Sequence, residues 1–374
     1  MINSQKTRRN FGLWAALTFV VIIIVALLIW IGLARLNSHA RSYGFALGYT
    51  LPSMSQQDRI KELSNIKSLG FSTVRFNLDW SSIQSKNGDT YTWKTSDEIM
   101  QDVNNSGLKA IITLDRTPPW ARPANCKYSI FCAPANPNDY AKFAGTAVAR
   151  YKQDPVIAWE IWNEPNIVNF WKPAPNAYQY AQLLRAADIA IKGQDPSAVV
   201  LVGGLSGNAI NEGKVFIDGR TFLASLYADG TKNYFDGVAF HPYTNFRLPH
   251  AKDEYNGWTK LYATNPSIRS IMIANGDQKK GVWITEFGVP TDGVGKEVTD
   301  GYEPVPEGAD HVSLLLQTNI TNQAIGDLQK FTWIKAFMWY TYQDNGKTED
   351  SSYGLLTVGG KPKPAYYALQ KVLK

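Results

Sequence analysis

Eight short apolar runs recur along this chain, separated by stretches of helical periodicity, and that alternation restricts the fold more than any other feature. The runs are YGFALGYT (43–50), STVRFNLDW (72–80), KAIITLDR (109–116), VIAWEIWNEP (156–165), AVVLVGGLSG (198–207), FDGVAFHPY (235–243), GVWITEFGVP (281–290) and IKAFMWYTYQ (334–343). Between them lie amphipathic segments such as 58–70, 138–153 and 177–193. In the last of these Tyr180, Leu183, Leu184, Ala187 and Ile191 share one helical face. Asp58, Asn138 and Asn176 are expected as helix N-caps, and Gly70 and Gly193 as helix ends. Strands that alternate with helices build a parallel sheet, and eight is the number that closes a (β/α)8 barrel. A doubly wound open sheet is the competing architecture, but it places a glycine-rich turn after its first strand, and GYTLPSMS has none. The cluster GGLSG at 203–207 lacks the Lys-Ser/Thr of a phosphate loop and is expected to be a tight strand exit. A single TIM barrel therefore fills residues 43–374.

Residues 1–42 read differently. Residues 1–10 carry Lys6, Arg8 and Arg9, and 11–34 contain no charged side chain. Twenty-four such residues exceed the roughly 20 needed to cross a bilayer and the roughly 7–15 of a cleavable signal peptide. The expectation is a basic cytoplasmic tail (1–10), a transmembrane signal anchor (11–34) and a linker (35–42), with the barrel outside the membrane. Cleavage after Ala40 would give a secreted form instead. The first 40 residues hold four basic and no acidic side chains, so the overall charge of +6 falls to about +2 for the remainder. No basic cluster interleaved with aromatics appears, which argues against nucleic acid as a partner. In an oxidising compartment Cys126 and Cys132 are expected to form a small loop disulfide. The four histidines show no ligand spacing, so neither a metal nor another cofactor is expected. The barrel is expected to be a monomer.

Active sites of such barrels lie at the C-terminal ends of the strands, and polar residues gather there. Arg75, Asn77 and Asp79 fall late in the second run, and Asp115 ends the third. Asn163 and Glu164 end the fourth, His241 and Tyr243 the sixth, and Glu286 interrupts the seventh. Two carboxylates on opposing strands can hydrolyse an acetal when one holds a proton and the other is ionised. Glu164 follows Trp159, Ile161 and Trp162, a setting that raises a carboxyl pKa and suits the donor. Arg75, His241 and Tyr243 are placed to keep Glu286 ionised. Glu160, inside the same strand, is expected to pair with a buried cation, and Asp79, Asp115 and Asp344 to be hydrogen-bonding neighbours. The twelve Trp and nineteen Tyr fill a core or serve as flat platforms for sugar rings.

These motifs resemble a known group. WNEPN, FHPY, ITEFG and AFMWYTYQD are similar to the clan A retaining glycoside hydrolases. Within that clan, TPPWA, CAPANPNDYAKFA and WEIWNEPNIVNFWKP look most like family 39 and related exopolysaccharide endoglycosidases. The resemblance implies Glu164 as acid/base and Glu286 as nucleophile. It implies that Asn163 binds the substrate 2-hydroxyl, that Arg75 and Tyr243 hold the nucleophile, and that His241 lines the reaction centre. Trp339 would form a platform under the sugar, and Trp120 and Trp171 subsite walls or packing. The carboxyl groups would stand about 5–5.5 Å apart, with no metal. The expected activity is endo-acting cleavage of a cell-envelope or extracellular polysaccharide. A transglycosylase using the same residues and a non-catalytic carbohydrate-binding barrel are the alternatives.

Overall fold

A computed structural model describes residues 41–346 and 352–373. The tail, anchor and most of the linker expected in residues 1–40 lie outside the described residues. Among the described residues no helix is long and apolar enough to cross a membrane.

Eight parallel strands close into a barrel: β1 (Ser42–Gly48), β2 (Thr73–Asp79), β3 (Lys109–Asp115), β4 (Val156–Asn163), β5 (Val200–Ser206), β6 (Gly237–His241), β7 (Gly281–Phe287) and β8 (Ile334–Trp339). Each matches one of the eight runs, ending one to four residues before the run does and starting within two residues of its first position, and β8 pairs with β1 to complete the ring. Helices such as Gln56–Ser68, Pro137–Tyr151, Ala177–Gln194 and Leu314–Lys330 connect the strands. Two short strands, Lys296–Val298 and Ala309–Val312, form a separate small sheet between β7 and β8.

The helix ends correct the expected caps in part. Asn176 does cap its helix, accepting from the Gln179 amide. The cap of Gln56–Ser68 is Ser55, which accepts from the Asp58 amide, so Asp58 sits in the first turn. Asn136, not Asn138, caps Pro137–Tyr151. In both cases the cap lies two or three residues before the expected one, and in the second helix Pro137 supplies a preset φ at the start. Gly70, at φ 92°, follows the last helical turn as expected. Gly193 lies inside its helix, which runs on to Gln194.

Strand alternation divides the core in two. Outward side chains such as Phe76, Ile112, Trp159 and Phe337 pack against the helices. Inward ones form a second, smaller aliphatic cluster: Ala46, Ile111, Ala158, Leu201, Ala239, Ala336 and Met338. Above this apolar floor the inward positions turn polar, with Arg75, Thr113, Glu160, His241 and Thr285 all fully buried. Gly203 and Gly204 lie within β5 rather than at its exit. A Cβ on Gly203 would stand 2.4 Å from the Ile161 carbonyl, and one on Gly204 would stand 2.1 Å from His241 Nε2. The close approach of neighbouring groups, not a turn, requires glycine there. Cys126 and Cys132 are joined as a disulfide in the loop after β3, their Cα atoms 5.7 Å apart.

Candidate active site

The end of β4 departs from regular strand geometry. Trp162 has φ 71° and Glu164 φ 41°, left-handed values that non-glycine residues avoid. They are held by fixed partners. The Trp162 indole is fully buried and donates to the Phe170 carbonyl at 2.5 Å, and the Glu164 amide donates to the Gly204 carbonyl at 3.0 Å. This twist places Asn163 and Glu164 together on the cavity wall. Backbone strain concentrated at a polar strand end is a common mark of a functional site.

Arg75, on β2, organises the centre. Its Nε and Nη2 reach Glu160 Oε2 and Oε1 at 2.7 and 3.1 Å, confirming the buried cation expected for Glu160. Its Nη2 also donates to Asn163 Oδ1 at 2.8 Å, and its Nη1 donates to Glu286 Oε1. Since a guanidinium only donates, Asn163 must turn its oxygen to Arg75 and its amide nitrogen elsewhere. Tyr243 donates to Glu286 Oε2 at 2.8 Å. His241 Nδ1 stands 3.0 Å from Glu164 Oε1 and 3.6 Å from Glu286 Oε2. The nearest oxygens of the two carboxyls therefore lie no farther apart than the sum of those distances. That limit reaches only the lower edge of the roughly 6.5–9.5 Å found between inverting pairs.

The two carboxyls are driven in opposite directions. Burial is the largest influence on Glu164 and raises its pKa, with the Glu286 charge adding to the rise against the opposing pull of His241. Burial alone would also raise Glu286, but His241, Arg75 and Tyr243 together outweigh it and hold the group below the usual carboxylate range. One acid that keeps its proton beside one that gives it up is the division of labour acetal cleavage needs.

Glu164 and Glu286 open onto a cavity of about 800 Å³ at the C-terminal mouth of the barrel. Its lining includes Tyr49, Asn77, Arg116 and Phe131 from β1–β3 and the loops after them, and Asn169, Phe170, Asn208, Asn245 and Phe246 from the loops after β4–β6, with the Phe131 and Phe170 rings meeting edge-on at 5.1 Å. The Arg116 guanidinium lies 3.3 Å from the centre of the Tyr49 ring and donates to Asp79 at 3.0 Å. Asp79, Asp115 and Asp344 are hydrogen-bonded neighbours. Asp115 accepts from Tyr49 and, at 2.9 Å, from Asn77. Asp344 pairs with Lys363 at 2.8 Å.

The three tryptophans fall elsewhere. Trp339 is fully buried on the outer face of β8, edge-on to Phe287, with its indole donating to the Tyr353 carbonyl at 3.0 Å. It offers no platform. Tyr340, one residue on, lines the cavity with Tyr353. Trp120 packs edge-on against Trp80 and donates to the Gln84 carbonyl, and Trp171 is buried between Trp162 and Tyr180. Neither borders the cavity. Sequence reasoning missed Tyr340, which shares the inward phase of Ala336 and Met338. It also missed Tyr49, Arg116, Asn208 and Asn245, which sit on loops or strand exits without a periodic signal.

A closed parallel (β/α)8 barrel bearing two carboxylates at the ends of its fourth and seventh strands defines a clan A retaining glycoside hydrolase. The family model described as cellulase (glycosyl hydrolase family 5) matches residues 41–315, and the chain belongs to that family. A β-xylosidase of Geobacillus stearothermophilus is 26% identical over 259 residues, covering 62% of this chain and 46% of that protein, so the chain spans about half of that relative's length. Among solved structures, a family 39 glycoside hydrolase from Bacteroides cellulosilyticus WH2 superposes with a TM-score of 0.64 at 20% identity, covering 90% of this chain and 64% of the other. A family 5, subfamily 18 enzyme from Streptomyces cattleya, in complex with Manβ1-4GlcNAc, gives 0.64 at 15% identity and 89% and 80% coverage. Xylanase 10B from Thermotoga petrophila RKU-1, in complex with xylobiose, gives 0.58 at 17% identity and 90% and 95% coverage. At these identities the structures establish the shared fold. The clan is the expected one. The matching family model is family 5, and family 39 enters through a structural neighbour.

Proposed function

We propose that this glycoside hydrolase is an endo-acting β-glycosidase that cleaves a cell-envelope or extracellular polysaccharide by double displacement, with Glu164 as acid/base and Glu286 as nucleophile. The observation that carries the assignment is the single imidazole nitrogen of His241 within 3.0 and 3.6 Å of both carboxyls, one shifted up and the other down. In the first step Glu286 attacks the anomeric carbon as its bond to the glycosidic oxygen breaks, and Glu164 gives its proton to that oxygen. The leaving sugar departs as an alcohol and a glycosyl ester remains on Glu286. In the second step Glu164 takes a proton from water, the hydroxide oxygen bonds to the anomeric carbon, and the ester bond breaks to free Glu286. The Asn163 amide is placed to hold the 2-hydroxyl, and Arg75 and Tyr243 keep Glu286 oriented. Tyr340 takes the place of Trp339 as the aromatic surface beside the sugar.

Endo action is supported by the many side chains beyond the carboxylate pair that line the same cavity, among them Tyr49, Arg116, Asn208 and Asn245. Residues 11–34 are proposed to tether the barrel outside the membrane, and protease accessibility of the barrel in intact cells, compared with lysed cells, tests that placement. The chemistry is tested with the domain from residue 41 and its Glu164→Ala and Glu286→Ala variants on aryl β-glycosides and polysaccharides, with azide as an external nucleophile. The expected products are a β-glycosyl azide from Glu164→Ala and an α-glycosyl azide from Glu286→Ala. A wild type that binds glycans but releases no reducing ends from any of them would overturn the reading.

A further inference from the structure

Thr285 precedes the nucleophile on β7, is fully buried, and has no access to substrate. Its hydroxyl lies 3.0 Å from His241 Nε2 and 3.3 Å from Glu160 Oε1. Glu160 also accepts from Arg75 Nε and Nη2, from Thr113 Oγ1 at 3.1 Å and from the Gly204 amide at 2.7 Å. Facing these four other donors, Glu160 acts as an acceptor throughout, and the Thr285 hydroxyl donates to it as well. The oxygen of Thr285 then faces His241 with a lone pair, and Nε2 must carry the hydrogen that meets it. Glu160 itself, 3.9 Å from Nε2, is too distant to take over as acceptor.

The consequence falls on the other ring nitrogen. In a neutral imidazole with hydrogen on Nε2, Nδ1 is an acceptor. Around it, Glu286 already accepts from Tyr243 and Arg75 and has no proton to give. Glu164, 3.0 Å away, is the one neighbour that can complete the bond as a donor. We propose that Thr285, anchored by Glu160, is a positioning residue that holds His241 as its Nε2–H tautomer, so that Nδ1 accepts a hydrogen bond from Glu164, which keeps the proton it later gives to the leaving sugar. This rests on the assignment of Glu164 as the acid.

The charged and titratable groups facing the imidazole are Glu160 and Glu164 from β4, Glu286 from β7, Arg75 from β2, and Tyr243 just beyond β6. From β5 only the bare backbone of Gly204 approaches, and any Cβ there would displace the ring from Thr285. Burial pushes the pKa of His241 down, while Glu286 and Glu164 outweigh it and raise it, so the Glu164–His241 pair retains its shared proton. The tautomer decides where that proton sits. With Nδ1 as acceptor it stays on Glu164, ready for transfer. With hydrogen on Nδ1, Glu164 would be held as a carboxylate and unable to act as the acid.

The experiment compares wild type, Thr285→Val and Thr285→Ser on two substrates. One is a dinitrophenyl glycoside, whose leaving group needs no proton. The other is an alkyl glycoside or a glycan, whose leaving group does. The expected result for Thr285→Val is a loss of about tenfold or more confined to the poor leaving group. The alkaline limb of its kcat/KM profile should move about one pH unit lower, with Thr285→Ser restoring both. Equal loss on both substrates, or an unmoved alkaline limb, overturns the proposal. Long-range proton–nitrogen NMR of histidine-labelled wild type supplies a measurement independent of any variant. Protonated Nε2 with bare Nδ1 at the pH of maximal activity supports it, and hydrogen on Nδ1 overturns it. Glu164→Ala is run beside them. If it loses both substrates equally, the acid assignment itself fails, a result distinguishable from failure of the Thr285 variants alone.

Discussion

Arg75 and Glu160 form a two-point ion pair inside the barrel, Nε to Oε2 at 2.7 Å and Nη2 to Oε1 at 3.1 Å, and the polar groups of the reaction centre are attached to it through a chain of at most two intermediates. Arg75 reaches Asn163 and Glu286, while Glu160 reaches Thr285 and through it His241. The pair is therefore the base on which the acid and the nucleophile are oriented, and both members are essentially without solvent contact.

Removing one partner should expose its importance. Arg75→Met leaves Glu160 buried and uncompensated, which costs about 3–5 kcal/mol for a fully buried pair. Replacing both residues by methionine should recover much of that stability but no activity. Denaturant unfolding of the single and double variants checks this, and a loss below about 1 kcal/mol for Arg75→Met would show that the pair does not hold the site.

The opposing shifts of the two carboxyls set the pH window of activity. In the proposed mechanism Glu286 must be ionised and Glu164 protonated. Activity should therefore persist below the ordinary carboxylate range of about 4.3, since Glu286 keeps its charge there. It should decline on the alkaline side only above that range, as Glu164 gives up its proton. The kcat/KM profile reports both limbs, and an acid limb above the ordinary range would contradict the assignment of Glu286.

Asp115 links stability to pH independently of catalysis. Burial pushes it from 3.8 up to about 7, against the hydrogen bonds from Tyr49 and Asn77. Because the folded group holds its proton more tightly than the unfolded one, its contribution is fully present below the unfolded pKa and is lost as pH rises towards 7. The melting temperature of wild type should fall across that interval. Asp115→Asn, which cannot titrate, should flatten the slope, and an unchanged slope would show that other groups carry it.

Tyr340 and Trp339 should separate binding from packing. Tyr340→Ala removes an aromatic surface from the cavity and is expected to raise KM about two- to tenfold. Trp339→Phe leaves a void behind β8 and a Tyr353 carbonyl without its donor, so its effect should fall on melting temperature, with KM unchanged. Steady-state kinetics and thermal melts on both variants decide this, and the reverse pattern would return the platform role to Trp339.

The barrel was legible because a parallel strand buried on both faces leaves a compact apolar run, and the polar residues interrupting those runs mark the rim. Glu164, Glu286, Arg75, Asn163, His241 and Tyr243 converge in space because each lies at such an interruption. Trp339 was misplaced for lack of phase. Alternation from Ala336 and Met338 turns Tyr340 inward and Trp339 outward, a distinction that aromatic character alone does not carry. At the end of β4 the same alternation would have failed, since the left-handed turn at Trp162 breaks it. Thr285 and Gly204 gave no sign at all. An uncharged hydroxyl and a missing side chain acquire meaning only from what the folded barrel brings beside them.

The cavity lining is uneven in kind, with the Arg116 cation seated on the Tyr49 ring in one part and the side-chain amides of Asn169, Asn208 and Asn245 in another. A sugar polymer has a head and a tail, and parts so unlike each other do not greet the two directions alike. In the proposed double displacement such a lining would impose an orientation on a glycan strand lying across it, so that the fragment held back on Glu286 and the fragment released would always come from the same respective sides of the cut.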